Sequence, residues 1–388
     1  MEDGVLKPMP GYPPSSILHP RRLLVRGVNW LGDAVMTTPA LLRLREALPE
    51  THITLLTPSK LADLWRGHPA INAVNASPAG AGVWSVGARL RTGDFDAALV
   101  LPNSPRSALE TWLARIPRRI GYARPWRNWL LTDAVPERPG RVKMHKRSNT
   151  EIRQLLSAPP VAAQFPPSSA HQIHEYLHLA AVFGARPDSL APRLEVSAAE
   201  VASAAAKFSL TPGAIWLGLN PGAEYGPAKR WPQEFFVQTA AAVQASTGCR
   251  CVVFGGRGDA ELAAYITREL RSIAPNHAPP VNLAGQTTLR ELCAALKICR
   301  ALLTNDTGPM HVAAALGVPV VVPFGSTSPE LTGPGLPGGR EHRFLRVGAP
   351  CAPCFRRECP VDFRCLKGLK PDRVIPVVRE LLAARQTV

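Results

Sequence analysis

At 388 residues the chain is too long for one ordinary core, and a hydrophobic fraction of 46% is normal for a soluble protein, so two domains are expected. No apolar run reaches the roughly 18 residues that a membrane-spanning helix needs. The Pro-rich start, Met1 to Pro20, has no signal-peptide apolar stretch, so the protein is expected in the cytoplasm with its eight Cys mostly as thiols. A formal charge of +16 attracts polyanions, whether nucleic acid, phospholipid surface or phosphorylated glycolipid. No recognised nucleic-acid-binding motif accompanies the charge, so a nucleic-acid partner is not expected.

After a flexible extension over residues 1–20, Arg21 to Val28 reads as a buried strand, Ala34 to Leu48 as a helix and His52 to Leu56 as a second strand, which is a βαβ unit. Between the first strand and the helix stands Asn29-Trp30-Leu31-Gly32-Asp33, polar and flexible where open α/β sheets bind ligands. Strands at Phe95 to Leu101 and Arg119 to Tyr122 continue a parallel sheet. Asp94-Phe95-Asp96 matches a metal-binding DxD formally, but it precedes its strand and so belongs to a turn.

The densest basic stretch runs from Arg115 to Arg147, interleaved with Trp112, Tyr122, Trp126 and Trp129. It reads equally as an anionic-membrane edge or as a solvated surface. Ala158 to Ser169 is a low-complexity loop, and a helix from His171 to Phe183 follows. His174 and His178 have the i, i+4 spacing of a zinc pair without an evident third ligand.

The first domain is placed at 21–195, a linker at 196–212 and a second domain at 213–370. In the second domain, strands at 214–219, 250–254, 280–283, 301–304 and 318–323 alternate with helices at 232–246, 259–273, 289–299 and 307–316. Short apolar strands alternating with amphipathic helices define a doubly wound sheet. Residues 371–388 carry a closing helix.

Three ordered motifs carry a resemblance: Gly32 to Pro39, Asn220 to Pro232 (NPGAEYGPAKRWP), and Asn305 to His311 (NDTGPMH). The pattern closely resembles glycosyltransferase family nine, from about Arg21 to the C-terminus. The resemblance implies a GT-B fold, two Rossmann-like α/β domains facing across a cleft. It implies an inverting enzyme that moves L-glycero-D-manno-heptose from ADP-heptose onto the first heptose of the phosphorylated lipopolysaccharide inner core, at the inner face of the cytoplasmic membrane. A sibling transferase adding the first or a branching heptose, and a nucleotide-sugar binding protein without catalysis, stay open beside it.

Such a transfer needs a base for the acceptor hydroxyl and positive partners for the departing diphosphate. Asp33 is the candidate base, with helix capping as its structural alternative. Lys229 can meet a phosphate oxygen, while Gly222 and Ala223, next to Glu224, let the backbone approach it. Thr307 and Gly308 open a helix whose free N–H groups suit a diphosphate. The family pattern puts Asp306 close to the donor sugar and His311 one turn on from Thr307; an N-capping Asp306 with a buried His311 is the alternative.

The Gly255-Gly256 loop lies against the nucleoside in the family, with Asp259 or Glu261 on the ribose and Ala284 to Thr287 near the adenine. Asn29, Trp30 and Gly32 are acceptor-side candidates. No cofactor is required. Cys351, Cys354, Cys359 and Cys365 cluster with a first spacing that fits zinc, but reduced thiols are the stronger expectation.

Overall fold

The computed structural model describes residues 19–158 and 165–384. Most of the 1–20 extension and the centre of the 158–169 loop therefore lie outside the described residues. The chain forms two compact units. The first gathers residues up to Asn29, Thr37–Arg141 and Gln172–Leu190; the second gathers Trp30–Met36, Val142–His171 and everything from Ala191 on.

The first unit holds a six-stranded parallel sheet of β1 (Arg22–Arg26), β2 (His52–Pro58), β3 (Ala73–Ser77), β4 (Ala97–Val100), β5 (Arg118–Tyr122) and β6 (Asp133–Val135), in the order β3-β2-β1-β4-β5-β6. The second holds β7 (Trp216–Asn220), β8 (Arg250–Val253), β9 (Val281–Asn282), β10 (Ala301–Thr304), β11 (Val320–Pro323) and β12 (Arg343–Leu345), in the order β12-β11-β10-β7-β8-β9. Counted from its own first strand, each sheet runs 3-2-1-4-5-6, the doubly wound Rossmann order. The expected α/β class is therefore what the structure has. Where strand order reverses, between β1 and β4 and between β7 and β10, neighbouring loops leave in opposite directions and open a crevice at the carboxyl ends of the strands.

The central strands are legible because they are buried on both faces: β4, β7, β10 and β11 are wholly buried. Leu217, Leu219, Val253, Leu303 and Val321 pack with Trp231, Phe236 and Ile266 into the core of the second unit. The sequence reading misses β3, β6 and β12. All are edge or near-edge strands, and β3 alternates half-buried with exposed residues, so no apolar run marks them.

Two further expectations change. The helix expected over 34–48 is two helices, Leu31–Met36 and Thr38–Ala47, separated at Thr37; Pro39 sits in the first turn of the second, where its missing N–H costs nothing. The expected linker 196–212 contains a helix, Ala198–Lys207, started by a capping box between Ser197 and Glu200. It docks on helix Leu289–Ile298 through Arg290, which forks onto both oxygens of Glu200, and through Lys207 paired with Glu291 at 2.6 Å. The boundary itself is not a single point either, since residues 30–36 and 142–171 of the first half belong to the second unit.

Candidate active site

At the switch point of the second sheet, Asn220 ends β7 and Asn305 follows β10. Asn305 is fully buried and holds the intervening loop at two places: its Oδ1 accepts from the Trp231 N–H at 2.9 Å, and its Nδ2 donates to the Pro221 carbonyl at 2.7 Å. Trp231, buried, donates its Nε1–H to the Leu369 carbonyl. The loop from Pro221 to Trp231 is thus pinned at both ends, and Lys229 is delivered to a set place. Its Nζ lies 2.6 Å from Oδ2 of Asp306, in an ion pair that is largely out of solvent. Asp306 is consequently not a helix cap; Thr307 is the N-cap of helix Gly308–Ala315, and its side chain makes no cap hydrogen bond.

Beside this pair lies a cavity of about 540 Å3, within the range of small-molecule sites. Gly222, Ala223 and Glu224 line one side, Gly255, Gly256 and Asp259 another, and Thr307 with Pro309 the helix start. Asp259 accepts a hydrogen bond from the Gly256 N–H at 3.0 Å. A Cβ at position 222 would collide with the Asp259 carboxylate, so glycine there is a requirement of close approach. Of the two acidic candidates for a ribose, Asp259 lines the cavity, whereas Glu261 is exposed on the following helix and does not. In the 284–287 segment, Thr287 reaches the cavity, joined by Thr288, Leu289 and Leu292 from the next helix. These last three carried no motif in the sequence; Arg230, which also lines the cavity, lies inside the second motif but was assigned no contact there.

The Asp33 helix, Leu31–Met36, packs on helix Gly308–Ala315 within the second unit. Contact is close because both helices offer glycine: a Cβ on Gly32 would stand 2.7 Å from Cδ2 of His311, and one on Gly308 would stand 2.9 Å from the Leu31 side chain. Gly32, expected on the acceptor side, is thereby engaged in helix packing. Asp33 is half-buried in the first turn of its helix, which begins at Leu31, so it does not cap a helix starting at Ala34. Leu31 of the same helix lines the cavity.

His311 lies behind the Asp33 helix, buried against Gly32. Burial lowers its pKa to about 3, with Asp306 opposing the shift and His171, Lys229 and His342 adding to it, so the ring is neutral near pH 7. The resemblance counts it among the donor contacts; in the structure it is the surface on which the Asp33 helix rests. Asn29 belongs to the first unit, where its Oδ1 accepts from Arg26 at 3.0 Å. Trp30 is half-exposed.

Other candidates are placed elsewhere. Asp96 accepts from the Arg22 N–H at 2.8 Å and Asp94 has φ 44°, a turn as expected from sequence. His178 bonds the Tyr122 hydroxyl at 3.0 Å and stacks on its ring, and His171 is buried with Nε2 on the Gly333 carbonyl. Cys351 and Cys354 are buried with Ile152 and Ala349, and Cys365 packs against them. Burial raises the Cys351 thiol pKa and pushes Cys365 up to about 12, which keeps both protonated. Among the described residues no three His, Cys, Asp or Glu side chains are arranged to hold a metal ion.

Much of the basic stretch is also internally neutralised. Arg118 pairs with Asp133, Arg124 and Arg141 with Glu137, and Arg138 with Glu175, while Arg127 is wholly buried with Nη1 on the Pro102 carbonyl.

A cavity at a Rossmann switch point, lined by Arg230, by the N-cap residue Thr307 and by Leu31 of the helix that carries Asp33, fits a nucleotide-sugar transferase of the doubly wound class. The model of glycosyltransferase family 9 (heptosyltransferase) matches residues 83–363, and the chain belongs to that family. It is 32% identical to lipopolysaccharide heptosyltransferase 2 of Salmonella typhimurium over 320 residues, 81% of this chain and 85% of that protein. It is 31% identical to lipooligosaccharide heptosyltransferase 2 of Haemophilus ducreyi, over 93% of this chain and 99% of that one. The solved structure of Escherichia coli ADP-heptose lipopolysaccharide heptosyltransferase II superposes with a TM-score of 0.73 at 30% identity, covering 93% and 98% of the two chains. The expected family and enzyme class are those that the comparisons give, and the similarity is to the type II enzymes.

Proposed function

We propose that this heptosyltransferase takes L-glycero-D-manno-heptose from ADP-heptose and joins it, with inversion, to the heptose already present on the lipopolysaccharide inner core. Asp33 removes the proton of the acceptor hydroxyl as that oxygen attacks the anomeric carbon. The C–O bond to the diphosphate breaks on the opposite face, and ADP leaves with the bonding electrons. Lys229 and the amides at the Thr307-Gly308 helix start meet the charge that grows on the leaving group, a task for donors fixed in advance. No metal is assigned a step, since these groups supply the positive charge. What supports the reading is the packing of the Asp33 helix on helix Gly308–Ala315, since Leu31 of the one and Thr307 and Pro309 at the start of the other line the same cavity.

Incubation of the purified chain with ADP-heptose and defined truncated core glycolipids tests this. A product extended on the first heptose is expected; extension only of an acceptor without heptose, or of a branch position, assigns the chain to a sibling reaction. Asp33→Ala is expected to lose about 10²- to 10⁴-fold in kcat with ADP affinity unchanged in calorimetry, and an unchanged kcat removes Asp33 from the mechanism.

The same reading puts the enzyme at an anionic membrane surface. With many arginines already paired, what supports it is aromatic exposure: Trp126 is 86% and Trp84 73% exposed, and Trp129, also exposed, meets Trp112 edge to face at 6.2 Å. Exposed tryptophan of this extent suits a headgroup layer. Trp126→Ser/Trp129→Ser is expected to reduce sedimentation with vesicles containing anionic lipid while leaving turnover on a water-soluble acceptor intact; equal sedimentation removes these rings from the membrane face.

A further inference from the structure

The carboxylate that holds Lys229 has a second partner. Asp306 is buried, and its Oδ2 receives both the Lys229 ammonium at 2.6 Å and the hydroxyl of Thr327 at 2.5 Å. Thr327 lies on the loop after β11, the strand next to β10 in the sheet. The residue before it is held: the carbonyl of Ser326 accepts from the backbone N–H groups of Cys354 and Phe355 at 3.1 and 2.7 Å. The same cysteine-bearing loop also holds the segment that carries the lysine. The Phe355 carbonyl accepts from the Tyr225 hydroxyl at 2.9 Å, the Arg357 carbonyl accepts from the Ala228 N–H at 3.0 Å, and the Lys229 ammonium lies over the Tyr225 ring at 5.0 Å.

The torsion that turns an aspartate carboxylate is broad, so one ion pair leaves its oxygens free to exchange and the ammonium free to swing with them. A second donor on the same oxygen removes that freedom. We infer that Thr327 is a positioning residue for the donor diphosphate: its hydroxyl fixes the Asp306 carboxylate and, through it, the direction in which Lys229 presents its charge. The inference rests on reading the neighbouring cavity as the ADP-sugar site. It gives the loop from Cys351 to Arg357 a task, to hold the backbone next to Thr327 and next to Lys229.

The test compares the full chain with Thr327→Val, Thr327→Ser, Lys229→Ala and the Lys229→Ala/Thr327→Val double variant, by calorimetric titration with ADP and by kinetics with ADP-heptose. Thr327→Val is expected to weaken ADP binding and raise the donor KM about tenfold, the size of one hydrogen bond to a charged group, with kcat changing less than KM. Thr327→Ser keeps the hydroxyl and is expected to stay within about twofold of the unsubstituted chain. In the Lys229→Ala background Thr327→Val is expected to add no further loss, because the group that it orients is gone.

The inference is overturned if Thr327→Val binds ADP like the unsubstituted chain, if Thr327→Ser is as weak as Thr327→Val, or if the two losses add. Should Thr327→Val not fold, Thr327→Ala is read in the same way. Lys229→Ala binding ADP normally would overturn the ADP-sugar reading of the cavity, and this inference with it. A weakened Lys229→Ala beside a normal Thr327→Val overturns this inference alone.

Discussion

One hydrogen atom stands between Gly32 and the ring of His311, and replacing it by a methyl group has a calculable effect. Gly32→Ala drives its Cβ into Cδ2 at 2.7 Å with the far side of the ring already buried, so neither partner can yield cheaply. Overpacking of this kind costs about 1–3 kcal/mol. A lower denaturation midpoint is expected, together with reduced kcat as the Asp33 helix lifts from its seat; a variant with unchanged stability and turnover would show that the close packing is dispensable. At this scale the sequence was legible where a residue type is demanded by chemistry. Asp33 and Asp306 stand out as charges at strand-to-helix turns, whereas Lys229 reads locally as a solvated loop lysine and is singled out only by the family resemblance; a Cβ at Gly222 would meet the Asp259 carboxylate. Thr327 and Leu292 were not legible, because a hydroxyl or a methyl group gains its role from a partner more than twenty positions away or from a cavity wall, and no local pattern records that.

Elements were read as well as their burial allowed. Strands β7, β8, β10 and β11 fall within two residues of their expected bounds because each is an unbroken apolar run closed by glycine, proline or asparagine. Edge strands escaped for the opposite reason. The helix over 198–207 reads as linker because its sequence, AAEVASAAAK, buries a single alanine and so shows no apolar stripe; its signal is the capping box, Ser197 with Glu200 three residues on. That cap is expected to matter more than the helix's own packing. Ser197→Ala should cost about 1 kcal/mol in chemical denaturation while leaving ADP affinity unchanged, and no loss would mean that Arg290 and Lys207 hold the helix alone.

Over the whole molecule, buried neutral histidines set the acid limit of stability. The pKa of His311 is lowered to about 3 and that of His342 to about 4, both chiefly by burial, and that of His178 is lowered by burial and Arg138. In the unfolded chain each takes up a proton near the ordinary imidazole value of 6.5, whereas in the folded chain it does not, so stability is full above pH 6.5 and is lost as pH falls toward those lowered values. Carboxylates held low by partners, such as Glu200 at about 2, weaken the fold only below the ordinary glutamate value of 4.5. Between pH 6.5 and 4.5 the decline therefore belongs to histidine. Replacing one of them, as in His311→Gln, should flatten the slope of unfolding free energy by about 1.4 kcal/mol per pH unit across that window; an unchanged slope would show that His311 is protonated in the native protein.

The chain passes from one unit to the other after Asn29, Met36, Arg141, His171 and Leu190. A ribosome delivering this polypeptide releases the Asp33 helix long before helix Gly308–Ala315, so the Gly32 face of the earlier helix waits uncovered until its seat has been made. No single cut in the gene divides the two units, because each is assembled from three separate stretches of chain.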